Sequence, residues 1–192
     1  MGIPTVRDRV VQQAMKNVLE PIFEDIFLPQ SHGYRPNMDA HGAVRKAEAY
    51  LESGYHWIVD ADIQGFFDHV DHTLLKDLVC EKISDGRVLS LIESFLKCGI
   101  MNEGILEANT ADDILIFCNE WEAQNALNRA KEILEGELKL TLSPEKTRIV
   151  HGRKKGVEFL GFHFNGRWRR PREKAVKQFK EEIKHRTQMT AA

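Results

Sequence analysis

Two pairs of acidic residues border short apolar segments, an arrangement typical of divalent-cation sites. Asp60 and Asp62 end the segment 56–62, His-Trp-Ile-Val-Asp-Ala-Asp, and Asp112 and Asp113 directly precede Ile-Leu-Ile-Phe. A carboxylate beside a buried strand is costly unless it meets a cation. Alternate strand residues share a face, so Asp60 and Asp62 are expected to point the same way. If the two segments are neighbouring strands, their oxygen ligands favour Mg²⁺ or Mn²⁺ over zinc.

Such a cluster has two chemical interpretations and one structural one. Two ions about 3.5–4 Å apart can activate an attacking hydroxyl and stabilise a leaving pyrophosphate. The neighbouring run Asp68-His-Val-Asp-His72 also resembles the His/Asp cluster of metal-dependent phosphohydrolases. The structural interpretation is that the acids cap helices and turns, and the residues alone leave it open.

The composition is that of an ordinary globular protein. Of the 192 residues, 42% are hydrophobic and 29% are charged, which excludes a wholly disordered or fibrous chain. The sequence lacks a long apolar run, so neither a transmembrane helix nor a membrane partner is expected. Three widely spaced cysteines argue against a disulfide or zinc framework and favour a reducing cytoplasm.

Charge is distributed unevenly along the chain. Residues 145–192 contain 14 Lys/Arg against 5 Asp/Glu, whereas residues 1–144 contain 13 against 24. A basic end on an acidic body indicates either a polyanionic partner or a solvated basic helix. Within it, Arg167-Trp168-Arg169-Arg170 interleaves arginine with an aromatic ring, which suits phosphate contacts and base stacking.

The spacing of apolar residues predicts a mixture of helices and strands. The order of the elements is not a regular βαβ repeat, which favours an α+β fold. The predicted helices span 7–27 (with a kink or break at Pro21), 40–53, 73–83, 87–97, 120–135 and 171–188, and the predicted strands span 56–62, 114–118, 139–142, 147–151 and 157–164.

Six segments, in chain order, resemble the motifs of group II intron-type reverse transcriptases, also called intron-encoded maturases. The order is that of the family and covers nearly the whole chain, so the resemblance is highly specific. The segments are 2–13 and 31–41 (fingers motifs, including Ser-His-Gly-Tyr-Arg-Pro and Ala40-His41), 62–68 (polymerase motif A), 111–113 (the end of Tyr-Ala-Asp-Asp), 142–147 (Leu-Ser-Pro-Glu-Lys-Thr, the next palm motif) and 159–162 (Phe-Leu-Gly-Phe, the primer grip).

The resemblance implies a set of metal ligands. Asp62 would be the motif A ligand, the backbone carbonyl of Ile63 would assist it, and Asp112 and Asp113 would complete the set. Asp60 precedes the motif A ligand, and the resemblance leaves its role open, a purely structural one included. The implied cofactor is Mg²⁺, which Mn²⁺ can replace.

The resemblance also implies nucleotide contacts. Phe67 would be the steric gate that crowds a ribose 2′-OH and so selects deoxynucleotides. Lys146 would lie near the incoming triphosphate as a proton donor to pyrophosphate, and Arg7 and Arg35 would lie in the fingers near triphosphate or template. The implied partners are an RNA template or intron RNA, a DNA primer and deoxynucleoside triphosphates.

The chain departs from the family pattern before its Ala-Asp-Asp motif. The family has a Pro-Gln-Gly segment and a Ser-Pro helix after the position of Glu103, whereas segment 105–110 here passes directly into Ala111. Thr110 stands where the family has an aromatic residue. We expect an internal deletion with its junction near 110–111. Because catalytic ligands must be held very accurately, the shortened chain is expected to be feeble or inactive.

The resemblance divides the chain into three parts. Residues 1–55 would be a fingers segment, 56–166 a palm and 167–192 the start of the thumb. The expected architecture is helical fingers, a remnant of a ferredoxin-like palm (an antiparallel sheet with helices on one face) and the first thumb helix. A shortened palm exposes sheet edges and core surface, so a homo-oligomer is compatible with it.

The predicted function is RNA-directed DNA synthesis by two-Mg²⁺ nucleotidyl transfer to a primer 3′-OH. Nucleic acid would contact Phe159, Leu160 and Gly161 of the primer grip and the basic run Arg167–Arg170. The alternatives are an inactive RNA-binding maturase remnant and a metal-dependent phosphohydrolase.

Overall fold

A computed structural model describes residues 5–97 and 113–189, with backbone alone at 182 and 184–189. These ranges form mixed helices and antiparallel sheets, so the predicted α+β class is confirmed. The helices are α1 (Val6–Glu24), α2 (Ala40–Glu52), α3 (Phe66–His69), α4 (His72–Cys80), α5 (Gly86–Lys97), α6 (Ala123–Lys131), α7 (Gly152–Lys155) and α8 (Glu173–Met189), and the strands are β1 (Trp57–Asp62), β2 (Asp113–Cys118), β3 (Arg148–His151), β4 (Val157–Phe159), β5 (Phe162–Phe164) and β6 (Arg169–Pro171).

The central sheet has the order β2-β1-β3, and both of its strand pairs are antiparallel. Strand β1 therefore lies in the middle, where Ile58, Val59 and Ala61 are buried and its two acids are only partly exposed. The register pairs Asp62 with Asp113 and Asp60 with Arg148. The two strands that carry the acids are therefore neighbours, as a shared cation site requires.

Both faces of the central sheet are covered. On one face, Val59, Ala61 and Ile63 pack with Leu134 and other apolar residues that follow α6. On the opposite face, Ile58 packs with α2 residues and with the second sheet, in a cluster of Val44, Ala47, Leu51, Ile58, Val157 and Phe164. Helix α6 thus covers one face, whereas the apolar side of α2 adds a helix on the other face, where none was expected.

The second sheet, which we call the hairpin sheet, has the order β4-β5-β6. A single strand was predicted over 157–164, but the chain turns back at Leu160 and Gly161, whose φ angles are +46° and +81°. Glycine adopts such angles at little cost, which makes a tight turn feasible there. The inner residues of this sheet, Val157 and Phe164, complete the core beneath α2.

Other differences from the predicted elements have local causes. Helix α1 continues through Pro21 to Glu24 instead of breaking at the proline. The predicted strand 139–142 forms only one bridge, between Leu142 and Ile63. Its first residue, Lys139, has a φ of +56°, which is outside the strand region. The predicted helix 120–135 begins as a 3₁₀ turn and ends as a π-helical turn at Glu137.

Within the described ranges, each helix is too short or too polar to cross a bilayer. The predicted boundaries at 55/56 and 166/167 stay predictions. The junction predicted near 110–111, with Asp112, lies outside the described residues.

Candidate active site

Three acids meet at one end of the central sheet, and we call them the acidic edge: Asp60, Asp62 and Asp113. Asp62 and Asp113 are directly opposed in the antiparallel β1–β2 pair. Opposed residues have their side chains on the same face and their Cα atoms roughly 4.5–5.5 Å apart. Asp60, two positions earlier on β1, shares that face. The predicted convergence of the acids is therefore present for Asp62 and Asp113.

The environment disfavours negative charge at the acidic edge. Burial raises the pKa of Asp113, and the nearby carboxylates of Asp62 and Asp60 raise it further. Burial also raises the pKa of Asp60, with a contribution from Asp62, although Arg148 opposes the shift. Desolvated like charges repel, so these groups gain when a cation approaches.

Two cations on one strand segment reach the acids. The Nζ atom of Lys146 lies 3.0 Å and 3.1 Å from the two carboxylate oxygens of Asp62. Arg148 donates from Nε to Asp60 at 3.1 Å, in agreement with their cross-strand pairing. Asp60 is thus paired with a cation of the neighbouring strand. A third cation, Arg172, lies close enough to oppose the raised pKa values of Asp60 and Asp113.

The segment before β3 holds the end of β1 in place. The backbone N–H of Ser143 donates to the carbonyl of Asp62 at 2.8 Å, and the N–H of Gln64 donates to the carbonyl of Thr141 at 2.8 Å. The bridge between Ile63 and Leu142 lies between these bonds. The segment that carries Lys146 is therefore hydrogen-bonded to β1, and this places the Lys146 side chain beside Asp62.

The donor set fits a hard divalent cation in its chemistry. Asp62 and Asp113 offer only oxygen ligands, and they carry repelling charge that a cation would relieve. Within residues 5–97 and 113–189, however, no three potential ligands are grouped closely enough to hold an ion. Asp112, the remaining ligand implied by the resemblance, lies outside that part of the chain. Ile63 is buried at the bridge to Leu142.

Phe67 lies just beyond the acidic edge, in the short helix α3. Its side chain is half exposed, and its ring meets the edge of Tyr34 at 5.9 Å and of Phe66 at 5.1 Å. Tyr34 belongs to the loop that precedes α2 and is 75% exposed. The ring is thus accessible to a ligand, and a residue of the predicted fingers segment contacts it.

The two fingers arginines differ sharply. Arg7 is exposed on α1, whereas the Arg35 side chain is only 7% exposed. The Arg35 guanidinium donates to Glu24, with a shortest distance of 2.6 Å, and to the carbonyls of Leu28 and Ser31. Its pairing with Glu24 raises the Arg35 pKa and lowers that of Glu24. Arg35 therefore clamps the loop 28–36, and a nucleotide contact would have to replace these bonds.

The predicted nucleic-acid residues lie on and beside the hairpin sheet. Phe159 packs against the core and Leu160 forms the turn, whose Gly161 carbonyl accepts a hydrogen bond from the Arg172 N–H at 2.9 Å. Arg167 and Trp168 are exposed between β5 and β6. Arg169 and Arg170 follow in β6.

The His/Asp run of the phosphohydrolase alternative has local structural partners. Asp71 caps α4 by accepting hydrogen bonds from the N–H groups of Thr73 and Leu74. Lys139 donates to Asp71 at 2.8 Å, and these contacts lower the Asp71 pKa to about 2. His69 contacts the carbonyl of Gly65 at 2.9 Å. Asp71 therefore serves as a helix cap, and His69 has a local backbone contact.

A comparison with known families assigns the chain. A profile described as "Reverse transcriptase (RNA-dependent DNA polymerase)" matches residues 1–110, more than half of the sequence. The chain belongs to the reverse transcriptase family. The matched range includes Asp60, Asp62 and Phe67, and it ends where the internal junction was predicted.

Relatives of this reverse transcriptase chain include intron proteins. The group II intron-encoded protein LtrA of Lactococcus lactis subsp. cremoris is 40% identical over 101 residues, which are 53% of this chain and 17% of LtrA. The mitochondrial nuclear intron maturase 1 of Arabidopsis thaliana is 37% identical over 94 residues, which are 49% of this chain and 13% of the maturase. Protein YkfC of Escherichia coli strain K12 is 38% identical over 112 residues (56% and 29%). The matched part is less than a third of the length of each relative. The family match and the intron relatives confirm the prediction of an intron-type reverse transcriptase or maturase.

Sequence reasoning missed two cations at the acidic edge. Arg148 is the first residue of β3 and is the cross-strand partner of Asp60, so antiparallel pairing of the two predicted strands 56–62 and 147–151 could have found it. Arg172 had no such signal. It approaches Asp60 and Asp113 because the hairpin sheet packs beside the central sheet, a long-range arrangement that spacing does not encode.

Proposed function

We propose that the acidic edge is the catalytic centre of an RNA-directed DNA polymerase, which transfers a deoxynucleotide to a primer 3′-OH. Asp62 and Asp113, with Asp112 and the Ile63 carbonyl, would hold Mg²⁺, for which Mn²⁺ can substitute. The bound ions would lower the pKa of the 3′-OH and neutralise the leaving pyrophosphate. The pairing of Asp62 with Asp113 across β1 and β2 is the observation that supports this proposal.

The remaining groups would position the nucleotide. The primer oxygen forms a bond to the α-phosphorus as the bond to pyrophosphate breaks, and Lys146 would give a proton to that leaving group. Its ammonium already lies at the acidic edge, within 3.0 Å of Asp62. Phe67 would crowd the ribose 2′ position, and Arg7 and Arg35 would lie near triphosphate or template. The primer would meet the turn at Phe159, Leu160 and Gly161.

Primer extension tests the proposal directly. The purified 192-residue chain would be given an RNA template, a DNA primer, deoxynucleoside triphosphates and Mg²⁺ or Mn²⁺, in parallel with Asp62→Asn. Asp77→Asn is the matched control, because Asp77 is an exposed acid on α4. We expect weak synthesis that Asp62→Asn abolishes and Asp77→Asn preserves. Synthesis that survives Asp62→Asn would overturn the assignment of the acidic edge.

A second candidate is an RNA-binding maturase remnant without catalysis. The contact between Lys146 and Asp62 favours it, because a metal ligand already paired with an ammonium has less charge to offer an ion. The expected internal deletion favours it as well. RNA binding without any primer extension in either metal would support this candidate.

Two finer points belong to the same proposal. Exposed apolar residues on α1, among them Val10, Val18 and Ile22, are compatible with a homo-oligomer. Light scattering during gel filtration measures the oligomeric state. The widely spaced cysteines favour a cytoplasmic site of action, and of these Cys80 and Cys118 are free thiols.

A further inference from the structure

Strand alternation separates the basic run of β6 into two functions. Arg169 pairs with Phe164, which is fully buried, so Arg169 points to the inner face of the hairpin sheet. There it contacts Glu48 of α2 at 3.3 Å and lies over the Phe162 ring at 5.8 Å. Arg170 pairs with His163 and therefore points to the other side. We call that side, with Glu158, His163, Trp168 and Arg170, the outer face.

The outer face presents a prearranged aromatic group. The Asn165 side chain accepts hydrogen bonds from the N–H groups of Arg167 and Trp168, at 3.0 Å and 3.2 Å, which fixes the turn before β6. The guanidinium of Arg170 lies 5.0 Å from the Trp168 ring centroid, and His163 meets that ring at 5.0 Å. The Trp168 side chain is nevertheless 43% exposed. A large aromatic surface is thus held beside a cation and open to solvent.

The charge on the outer face is positive where a ligand would lie. Its one strand acid, Glu158, is bound to Arg172 at 2.7 Å. A groove of about 380 Å³ continues from Arg170 to α8. Lys177 and Lys180 line it together with Arg170, against a single acid, Glu173. In the part of the chain that the structure describes, no carboxylate forms an ion pair with Arg170.

We propose that the outer face and its groove bind unpaired nucleotides, with a base against Trp168 and the following phosphates on Arg170, Lys177 and Lys180. An exposed aromatic ring beside a positive groove is how proteins bind single strands without reading their sequence. The groups described here contact a base face and phosphates, which RNA and DNA share, so both single strands are expected to bind. The inference rests on the proposed nucleic-acid function but not on catalysis.

The basic run Arg167–Arg170 was expected to contact nucleic acid as a whole, and the inference here removes Arg169 from that set because its guanidinium pairs with Glu48. Arg169 is therefore a matched control for Arg170: it is adjacent, carries the same charge and lies on the inner face. Binding of a fluorescent 12-nucleotide oligouridylate to the whole chain would be followed by anisotropy in EDTA, over a series of salt concentrations. Trp168→Ala should weaken binding about five- to a hundredfold, and Trp168→Phe should restore most of it. Arg170→Ala should lower the slope of log K against log salt by about 0.7, and Arg169→Ala should leave it unchanged.

Three results would overturn the inference. They are equal effects of Arg169→Ala and Arg170→Ala, unchanged affinity in Trp168→Ala, or equal sensitivity to Trp168→Ala for oligouridylate and for heparin, a polyanion without bases. Thermal melting of each variant excludes loss of fold as the cause. Binding is measured in EDTA, which removes divalent ions, so it does not depend on a metal-dependent polymerase reaction. A chain without polymerase activity should therefore still bind oligouridylate. If the chain extends primers and Trp168→Ala leaves the affinity for oligouridylate unchanged, only the outer-face site is refuted, and the proposed polymerase function is unaffected.

Discussion

The acidic edge and the hairpin sheet differ in how their charged side chains are arranged. At the acidic edge, the register of β1 and β2 brings Asp62 and Asp113 together, and burial raises the pKa of Asp113. In the hairpin sheet, alternation along β6 sends Arg169 inward to Glu48 and Arg170 outward over Trp168. One region concentrates like charge, and the other distributes it between a structural partner and solvent.

This difference indicates which of the two regions loses stability by bringing like charges together. Desolvated carboxylates that repel each other destabilise a fold unless a cation joins them. Arg148 and Lys146 supply part of that charge from within the chain. Among its described residues, the hairpin sheet has no comparable repulsion between like charges, because Arg169 pairs with Glu48 and Arg172 pairs with Glu158. We therefore expect metal-dependent behaviour from the acidic edge and salt-dependent binding from the hairpin sheet.

The largest expected effect separates the two regions by their response to metal. Asp62→Asn should weaken Mn²⁺ binding by more than about tenfold, because even groups behind the metal ligands are worth about 10- to 100-fold. Arg170→Ala should leave it unchanged. Mn²⁺ titration followed by electron paramagnetic resonance measures both affinities. Equal affinities in the wild type and in Asp62→Asn would refute a metal site at the acidic edge.

The next effect tests whether the two regions share one core. A Cβ atom added to Gly152 would lie 2.7 Å from Leu51 Cδ2 and 2.9 Å from Ile58 Cδ1, and both side chains are fully buried. Gly152→Ala should therefore reduce the free energy of unfolding by about 1–3 kcal/mol. Gly33→Ala is the control, since its Cβ would meet no atom within 4 Å.

Urea denaturation followed by circular dichroism measures this change. Because Val157 of β4 lies 3.4 Å from the same added atom, the hairpin sheet should unfold together with the central sheet. A separate early transition of one sheet in Gly152→Ala would break the comparison, since the two regions would then be independent units.

A smaller effect is a gain in stability. The raised pKa of Asp113 means that folded-state stability falls as pH rises from the ordinary value of 3.8 through the raised value, and stays reduced above it. Asp113→Asn should remove that loss and raise the melting temperature at pH 7 by about 2–4 °C. The difference between the variant and the wild type should disappear below the ordinary pKa. Differential scanning calorimetry at neutral and acidic pH measures it, and a lower melting temperature at pH 7 would contradict the prediction.

The sequence was sufficient for local elements and for one long-range contact. The apolar spacing of α2 and of the strands that contain Asp60, Asp62 and Asp113 predicted their bounds to within two residues. The contact between Asp62 and Asp113 followed from acids at the ends of two apolar segments. These signals are local, because each depends on residue order within a few positions.

Other features were beyond sequence reasoning because they depend on packing. The turn at Leu160 and Gly161 divides a segment that is apolar enough for one strand. Arg35 pairs with Glu24, eleven positions earlier, and spacing alone did not predict this pair; its nucleotide or template contact stays a prediction. Residue type alone does not distinguish a phosphate-binding arginine from one that clamps a loop, since both require the same donors.

The smallest effect comes from a carboxylate whose environment is the reverse of that of Asp113. Lys139 and the first N–H groups of α4 lower the Asp71 pKa to about 2. The stability from Asp71 is therefore complete above the ordinary value of 3.8 and is lost as pH falls toward about 2. Asp71→Asn keeps a cap but loses the ion pair, so its melting temperature should fall slightly at pH 7 and match the wild type near pH 2. Asp113→Asn, by contrast, should raise the melting temperature at pH 7. If both variants shift the melting temperature in the same direction, burial and like charge do not cause the difference in pKa between these two acids.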